Sequence, residues 1–205
     1  MTPDPEQLGV SRETFERLKI YVDLIRKWSP KINLVSKNSL DDIWHRHIQD
    51  SLEIVAEADE YWDGDWLDFG SGGGLPGIVA AIISAEHTAG WMTRLVESDV
   101  RKSAFLRTVG RECDLNIEVQ TARIETLVPQ NARIISARAL ASLDKLLEFS
   151  DRHLHSEGQA LFPKGISWKK ELSEAQRRWR FDHEVAHSQT EPGSVILKIK
   201  GISRA

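Results

Sequence analysis

The chain has a single cysteine, Cys113, in 205 residues, so neither an internal disulfide nor a cysteine-based zinc centre is available. A reducing compartment is therefore expected, with Cys113 a passive residue near the core. Long apolar runs are also scarce. The longest, residues 75–85, is broken by Pro76 and Gly77 and falls well short of the roughly 20 residues a spanning helix needs. The opening MTPDPEQLGVSRE lacks the cationic start and apolar segment of a secretory signal, so a cytoplasmic protein without membrane contact is expected. Positive charge is not in excess: 27 basic residues face 31 acidic ones, which argues against a protein that coats nucleic acid. Repeats and low-complexity tracts are absent. What is there is an ordinary globular composition, 40% apolar and 28% charged.

The average conceals a gradient. Residues 1–65 carry 8 basic and 14 acidic side chains, whereas residues 101–205 carry 18 and 13, so the base-rich half is C-terminal. From Ser11 to about Trp28 the residues Phe15, Leu18, Tyr21, Val22 and Ile25 recur at helical spacing, and Pro30 is expected to end that helix. A second helical pattern runs from about Leu40 to Ala58. Residues 1–62 thus read as an N-terminal helical cap and residues 63–205 as a second domain. After Gly64 the texture alternates: strands at 66–69, 92–97, 117–120, 134–137 and 158–162, with helices at 75–85, 101–113, 143–155 and 168–178 and a short one near Ile124. Such alternation predicts an α/β fold with a parallel sheet, whose ligands sit at the carboxyl ends of the strands. The last two strands, 181–187 and 194–200, are separated by a turn too short for a crossover and must pair antiparallel.

The chemistry concentrates where the first strand, Trp66-Leu67-Asp68-Phe69, runs into Gly70-Ser71-Gly72-Gly73-Gly74-Leu75-Pro76-Gly77. Glycines open backbone conformations closed to other residues and let a ligand touch the main chain. Gly72, Gly74 and Gly77 match GxGxxG, and Glu97 follows at the next strand's end, where a carboxylate suits a ribose diol. A nucleotide or nucleoside cofactor is expected. Asp68, just before the first glycine, would repel a pyrophosphate but suits the ammonium and sulfonium of S-adenosylmethionine. The methyl donor is therefore favoured over a nicotinamide dinucleotide, which stays as the alternative. A P-loop is excluded, because no Lys-Ser or Lys-Thr pair follows the glycines.

Six segments in order resemble the RsmG family, also called glucose-inhibited division protein B: residues 32–36 (INLVS), residues 44–52 (WHRHIQDSL), the glycine turn, residues 122–125 (ARIE), residues 136–143 (SARALASL) and residues 162–165 (FPKG). The resemblance spans roughly Leu18 to Lys200. It implies a Rossmann-like, class I S-adenosylmethionine-dependent methyltransferase with a seven-stranded sheet, a C-terminal antiparallel hairpin and the helical cap in front. It further implies methyl transfer to N7 of a guanine (position 527 by resemblance) in the 530 loop of 16S ribosomal RNA. By position it places Gly70 and Leu75, Ile124 and Glu125, and Arg138 at the donor, beside Asp68, Gly72, Gly74 and Glu97. His45, Arg46, His47, Asp50 and Ser51 would lie at the mouth, and Lys164 would face the RNA. Two departures from the family pattern are Gly73, often Pro, and Glu97, more usually Asp.

Guanine N7 already holds a free lone pair, so its methylation needs alignment and electrostatics but no strong base. Arg138 and Lys164 are the expected catalytic side chains. Cys113, inside a helix pattern, does not sit where a pyrimidine-carbon methylase needs its nucleophile. His45 and His47, two apart on a helix, cannot clasp one metal, so no metal is expected; they read equally as RNA contacts or structural residues. Arg138 has a competing reading as a structural ion-pair partner, and the tryptophans, Trp62 included, read as packing. Residues 164–180 carry six bases, Lys164, Lys169, Lys170, Arg177, Arg178 and Arg180, against two acids, an RNA-facing strip or a solvated helix face. A monomer acting on the small ribosomal subunit is expected. A catalytically silent RNA-binding assembly factor is the non-enzymatic alternative.

Overall fold

A computed structural model of the protein describes residues 2–58, 64–87 and 91–205. Trp62 and the expected domain boundary at residues 62–63 lie outside the described residues.

Three helices open the chain, α1 (Pro5–Leu8), α2 (Arg12–Ile32) and α3 (Lys37–Leu40). Helix α2 starts on the Ser11 side chain, which accepts from the Thr14 N–H, and buries the predicted stripe of Phe15, Leu18, Tyr21, Val22 and Ile25. Pro30 does not end it: the helix runs on to Ile32 and stops at Asn33, whose backbone is left-handed (φ 50°) and whose N–H bonds the Ser29 carbonyl. The expected single helix over residues 40–58 is likewise corrected. It divides into a π-helical turn, Trp44–Gln49, and α4 (Asp50–Ala56). The π turn holds one more residue per turn than an α-helix, a form often found at functional sites.

The α/β half consists of β1 (Trp66–Phe69), α5 (Gly77–Ser84), β2 (Thr93–Val96), α6 (Val100–Glu112), β3 (Ile117–Gln120), a 3₁₀ turn (Ile124–Thr126), β4 (Ala132–Ser136), α7 (Leu143–His153), β5 (Leu154–Lys164), α8 (Trp168–Ala175), β6 (Trp179–His187) and β7 (Val195–Arg204). The sheet order is β3-β2-β1-β4-β5-β7-β6. Strands β1 to β5 run parallel, and β7 pairs antiparallel with both β5 and β6, the predicted hairpin. The order reverses at β1, between β2 and β4, which places the crevice for ligands at its carboxyl end. Strand β5 begins earlier than predicted, at Leu154, because a bulge against β4 takes up the residues before Gln159.

Every residue of β1 is buried, as befits a central strand covered on both faces. Alternation sorts its side chains. Trp66 joins the core under α2, α5 and α6, whereas Leu67 and Phe69 join the core under α7 and α8. Asp68 therefore lies on the Trp66 face, toward α5. The N-terminal helices share one continuous core with α5 and α6, through Leu18, Tyr21, Ile43, Ile48, Ile78 and Phe105. Among the described residues no helix is long and apolar enough to cross a membrane.

Candidate active site

The glycine turn is built to bring backbone close to other groups. Gly70, Gly72 and Gly74 all have positive φ (61°, 54° and 89°), conformations that side chains strain. At Gly74 an added Cβ would come within 2.4 Å of Ile78 and 3.0 Å of both Leu106 and the Tyr21 hydroxyl. At Gly77 it would meet Leu95 at 2.4 Å and the Asp68 carboxylate at 2.8 Å. At Gly72 only a carbonyl oxygen lies near, at 3.7 Å, so this stretch of main chain is open to a ligand. The turn is held from two sides. Tyr21, fully buried on α2, donates to the Gly73 carbonyl at 2.6 Å, and its hydroxyl pKa is raised by burial, so the bonding proton stays. Glu97, just past β2, accepts the Gly72 N–H at 2.8 Å and the Asp99 N–H at 2.7 Å.

Asp68 is 1% exposed. Its Oδ1 accepts from the Ser136 hydroxyl at 2.6 Å, and Ser136 accepts in turn from the Trp66 indole N–H at 2.8 Å, linking β1 to β4. Oδ2 has no full hydrogen bond among the described residues, although the Ser71 hydroxyl and the Gly77 N–H lie close enough to the carboxyl to favour its charge. Burial pushes the carboxyl pKa up to about 6, and the Ser136 and Ser71 hydroxyls, the Arg138 charge and the Gly77 N–H keep it from rising further. A half-satisfied buried carboxylate is costly by itself and fits a cationic ligand. With the open backbone at Gly72 and Glu97, whose two oxygens each keep a lone pair, the residues present fit a cationic nucleoside cofactor without phosphates.

The other predicted donor residues cluster around this turn to different degrees. Leu75 is buried in it. Ile124 is buried beside Phe69 and Val96, and its carbonyl is met by the Nε2 of His153 at 3.2 Å; Glu125 next to it is exposed. Arg138 follows β4. Its Nη2 donates to His47 Nδ1 at 2.9 Å, and its Nη1 reaches the Arg46 carbonyl at 3.5 Å and Asp50 at 3.7 Å. His47 spends its other nitrogen on the Ser39 hydroxyl at 2.9 Å. Burial, then the Arg138 and Arg46 charges, lower the His47 pKa to about 4, so the ring is neutral and accepts from Arg138. The π turn thus closes over the β4 end. Asp50 also takes the Thr190 hydroxyl, Glu53 takes Ser188 and Gln189, and Arg46 pairs with Glu191, fastening the helices to the β6–β7 turn.

Lys164 departs from the expectation of an RNA-facing cation. Its side chain is 8% exposed, and the ammonium donates to the Ala141 carbonyl at 3.0 Å and to Glu171 at 2.9 Å. The reason is α8, which folds back after β5 and brings Glu171 over the strand end. Lys169 and Lys170 on α8 are exposed, and no hydrogen bond or ion pair joins them to the glycine turn among the described residues. His45 is also exposed, against Asp42 at 3.8 Å. Cys113 is buried, and burial raises its thiol pKa to about 11, in line with a passive role. Among the described residues no group of three His, Cys, Asp or Glu could hold a metal. Tyr21, Ser136 and His153 were not anticipated as supports. The available signal was a tyrosine in an apolar helix stripe, whose hydroxyl needs a partner once buried.

The GidB family model, rRNA small subunit methyltransferase G, matches residues 14–196. A ribosomal RNA small subunit methyltransferase G of Ruegeria sp. (strain TM1040) is 54% identical over 97% of this chain and 96% of its own. That of Ruegeria pomeroyi is also 54% identical, covering 100% and 99%. Among solved structures, a mutant of MtNAS in complex with S-adenosylmethionine superposes with a TM-score of 0.61 at 14% identity, covering 92% of this chain and 77% of that one, a likeness of fold.

Proposed function

Because the chain belongs to the rRNA small subunit methyltransferase G family, we propose a residue-level reading of its S-adenosylmethionine-dependent methyl transfer to 16S ribosomal RNA. The acceptor is N7 of a guanine in the 530 loop, and the protein acts in the cytoplasm as a monomer. When bound, the donor supplies an electrophilic methyl on a sulfonium. Asp68 and the main chain of Gly70, Gly72 and Gly74 receive its cationic amino-acid end. Glu97 takes the ribose hydroxyls, and Leu75, Ile124 and Glu125 border the purine. Arg138, fixed by His47 and Asp50, stands at the acceptor side, where it shapes the wall against which the guanine lies. No residue has to remove a proton, because N7 attacks with its own lone pair. The observation that carries this reading is the buried, incompletely bonded Asp68 carboxylate on the strand that runs into the glycine turn, where the Gly72 backbone is open.

The test pairs binding with product. Calorimetric titration should show S-adenosylhomocysteine binding, with no competition from a nicotinamide dinucleotide, and deletion of the gene should remove N7-methylguanosine from 16S rRNA digests in mass spectrometry. Binding of the dinucleotide alone would favour the oxidoreductase alternative, and unchanged methylation would favour a silent assembly factor.

A further inference from the structure

Two apolar side chains stand out to solvent just past the carboxyl ends of neighbouring strands. Leu140 follows β4 and is 38% exposed; Ile166 follows β5 and is 82% exposed, the most exposed large aliphatic side chain among the described residues. Neither position is loose. Leu140 leans over the glycine turn, where a Cβ on Gly70 would fall 2.5 Å from its Cδ1. The residue before it, Ala139, holds a left-handed backbone (φ 53°), a conformation that costs about 1 kcal/mol or more outside glycine and persists only where the surroundings enforce it. Ile166 lies against Gly193 of the β6–β7 turn.

The two loops are tied together by the buried lysine. Lys164, at the end of β5, donates to the Ala141 carbonyl in the first loop, and its partner Glu171 accepts the Leu143 N–H at 2.9 Å and the Ser167 hydroxyl at 3.5 Å. One ion pair therefore fixes the residues on the far side of both tips. The Lys164 charge is spent inside the protein, so it shapes the rim and does not attract phosphate. Lys37, three residues past Leu34, whose carbonyl lies against Gly73, and Arg123, past the carboxyl end of β3, are exposed and pair with no carboxylate among the described residues, which suits a polyanion on this side.

We propose that Leu140 and Ile166 form an apolar jaw that packs against unpaired bases flanking the methylated guanine, with Lys164 and Glu171 as positioning residues that hold it open. The proposal rests on the rRNA methyltransferase reading above. Chemistry on a base inside folded RNA requires unstacking it, and apolar tips that replace lost stacking are a physical means to that end. Serine at Ile166 removes this packing without burying or unburying anything in the core, whereas serine at Leu140 also uncovers Gly70.

The experiment compares wild type with Leu140→Ser, Ile166→Ser, Lys164→Met and Lys164→Met/Glu171→Gln. Three quantities are read: S-adenosylhomocysteine affinity, thermal midpoint, and methylation kinetics on small subunits from a strain lacking the modification. Each serine variant should raise KM for subunits about five- to thirty-fold, the loss of one aliphatic side chain packed on a base. Ile166→Ser should keep donor affinity and midpoint within twofold and a degree or two of wild type, whereas Leu140→Ser, which uncovers Gly70, should also weaken the donor a few-fold. Lys164→Met should lower the midpoint and raise KM. The double variant, which buries no unpaired carboxylate, should recover the midpoint while KM stays raised, a split that a purely structural lysine would not produce. Serine variants with unaltered kinetics, or a double variant that recovers both quantities, overturn the jaw. A wild type that binds no S-adenosylhomocysteine overturns the functional reading, and the jaw with it.

Discussion

The strand ends on either side of the crevice are finished in opposite ways. At β1 and β2 the side chains are acids: Asp68 keeps an oxygen without a full hydrogen bond, and Glu97 uses one N–H per oxygen. At β4 and β5 they are bases, and both are spent inside the protein. Arg138 serves His47, the Arg46 carbonyl and Asp50, and Lys164 serves Ala141 and Glu171. A buried acceptor with a vacant lone pair is destabilising until a ligand supplies the donor, so the acidic half is the half prepared to bind. Donors already paired contribute geometry. Residues at equivalent places in the topology thus divide into those that hold a small molecule and those that shape the surface around it.

The strongest attack on the binding half is Gly74→Ala. The methyl would have to enter space held by Ile78, Leu106 and Tyr21 at a φ of 89°. Overpacking at about 1–3 kcal/mol plus about 1–2 kcal/mol of left-handed strain predicts a loss of roughly 2–5 kcal/mol in urea unfolding. S-adenosylhomocysteine binding should vanish. Unfolding unchanged within ~0.5 kcal/mol would mean that the turn is not packed as described.

Asp68→Asn separates binding from stability, because the two should move in opposite directions. The native carboxyl has a pKa near 6 against an ordinary 3.8, so between those values the folded state holds more protons than the unfolded one. Stability from this group is therefore full below the ordinary value and is lost as pH rises toward 6. The amide removes the buried charge, so the urea midpoint at pH 7.5 should equal or exceed that of wild type. Donor affinity should fall by about 1–3 kcal/mol, the cost of a lost charged partner. Wild-type affinity should also weaken as pH drops below 6, and the Asn variant should show no such slope. An Asn variant that binds like wild type would remove Asp68 from the site.

The contrast also explains what could be read before folding. Period and turn chemistry found the strand order's ingredients, the hairpin and the glycine turn, since each is written in neighbouring residues. Pro30 misled because a proline in a helix's last turn gives up one hydrogen bond at an end that frays anyway, and Asn33 could still close the helix. The π turn was illegible because burying Trp44 and Ile48, four apart, satisfies an α pattern equally well. Lys164 reads as lying past the fifth strand and is in fact its last residue; its partner Glu171 lies seven residues on, and only the path of α8 decides whether they meet. The acids were legible for the converse reason: their significance is what they lack.

The smallest effect is expected at Tyr21, which joins the N-terminal helices to the binding half through one hydroxyl. Tyr21→Phe keeps the ring that packs between α5 and α6 and deletes the 2.6 Å bond to Gly73. The net loss for one buried hydrogen bond is about 0.5–1.5 kcal/mol, and a phenol kept protonated by burial makes this independent of pH in the neutral range. If Glu97 alone held the turn, donor affinity would not change. Two supports on adjacent glycine units, Gly72 and Gly73, argue that both fix its shape, so affinity for S-adenosylhomocysteine should drop a further few-fold, about 1 kcal/mol at most. A Phe variant that unfolds more easily but binds the donor as tightly as wild type would leave Tyr21 as core packing and assign the shape of the turn to Glu97.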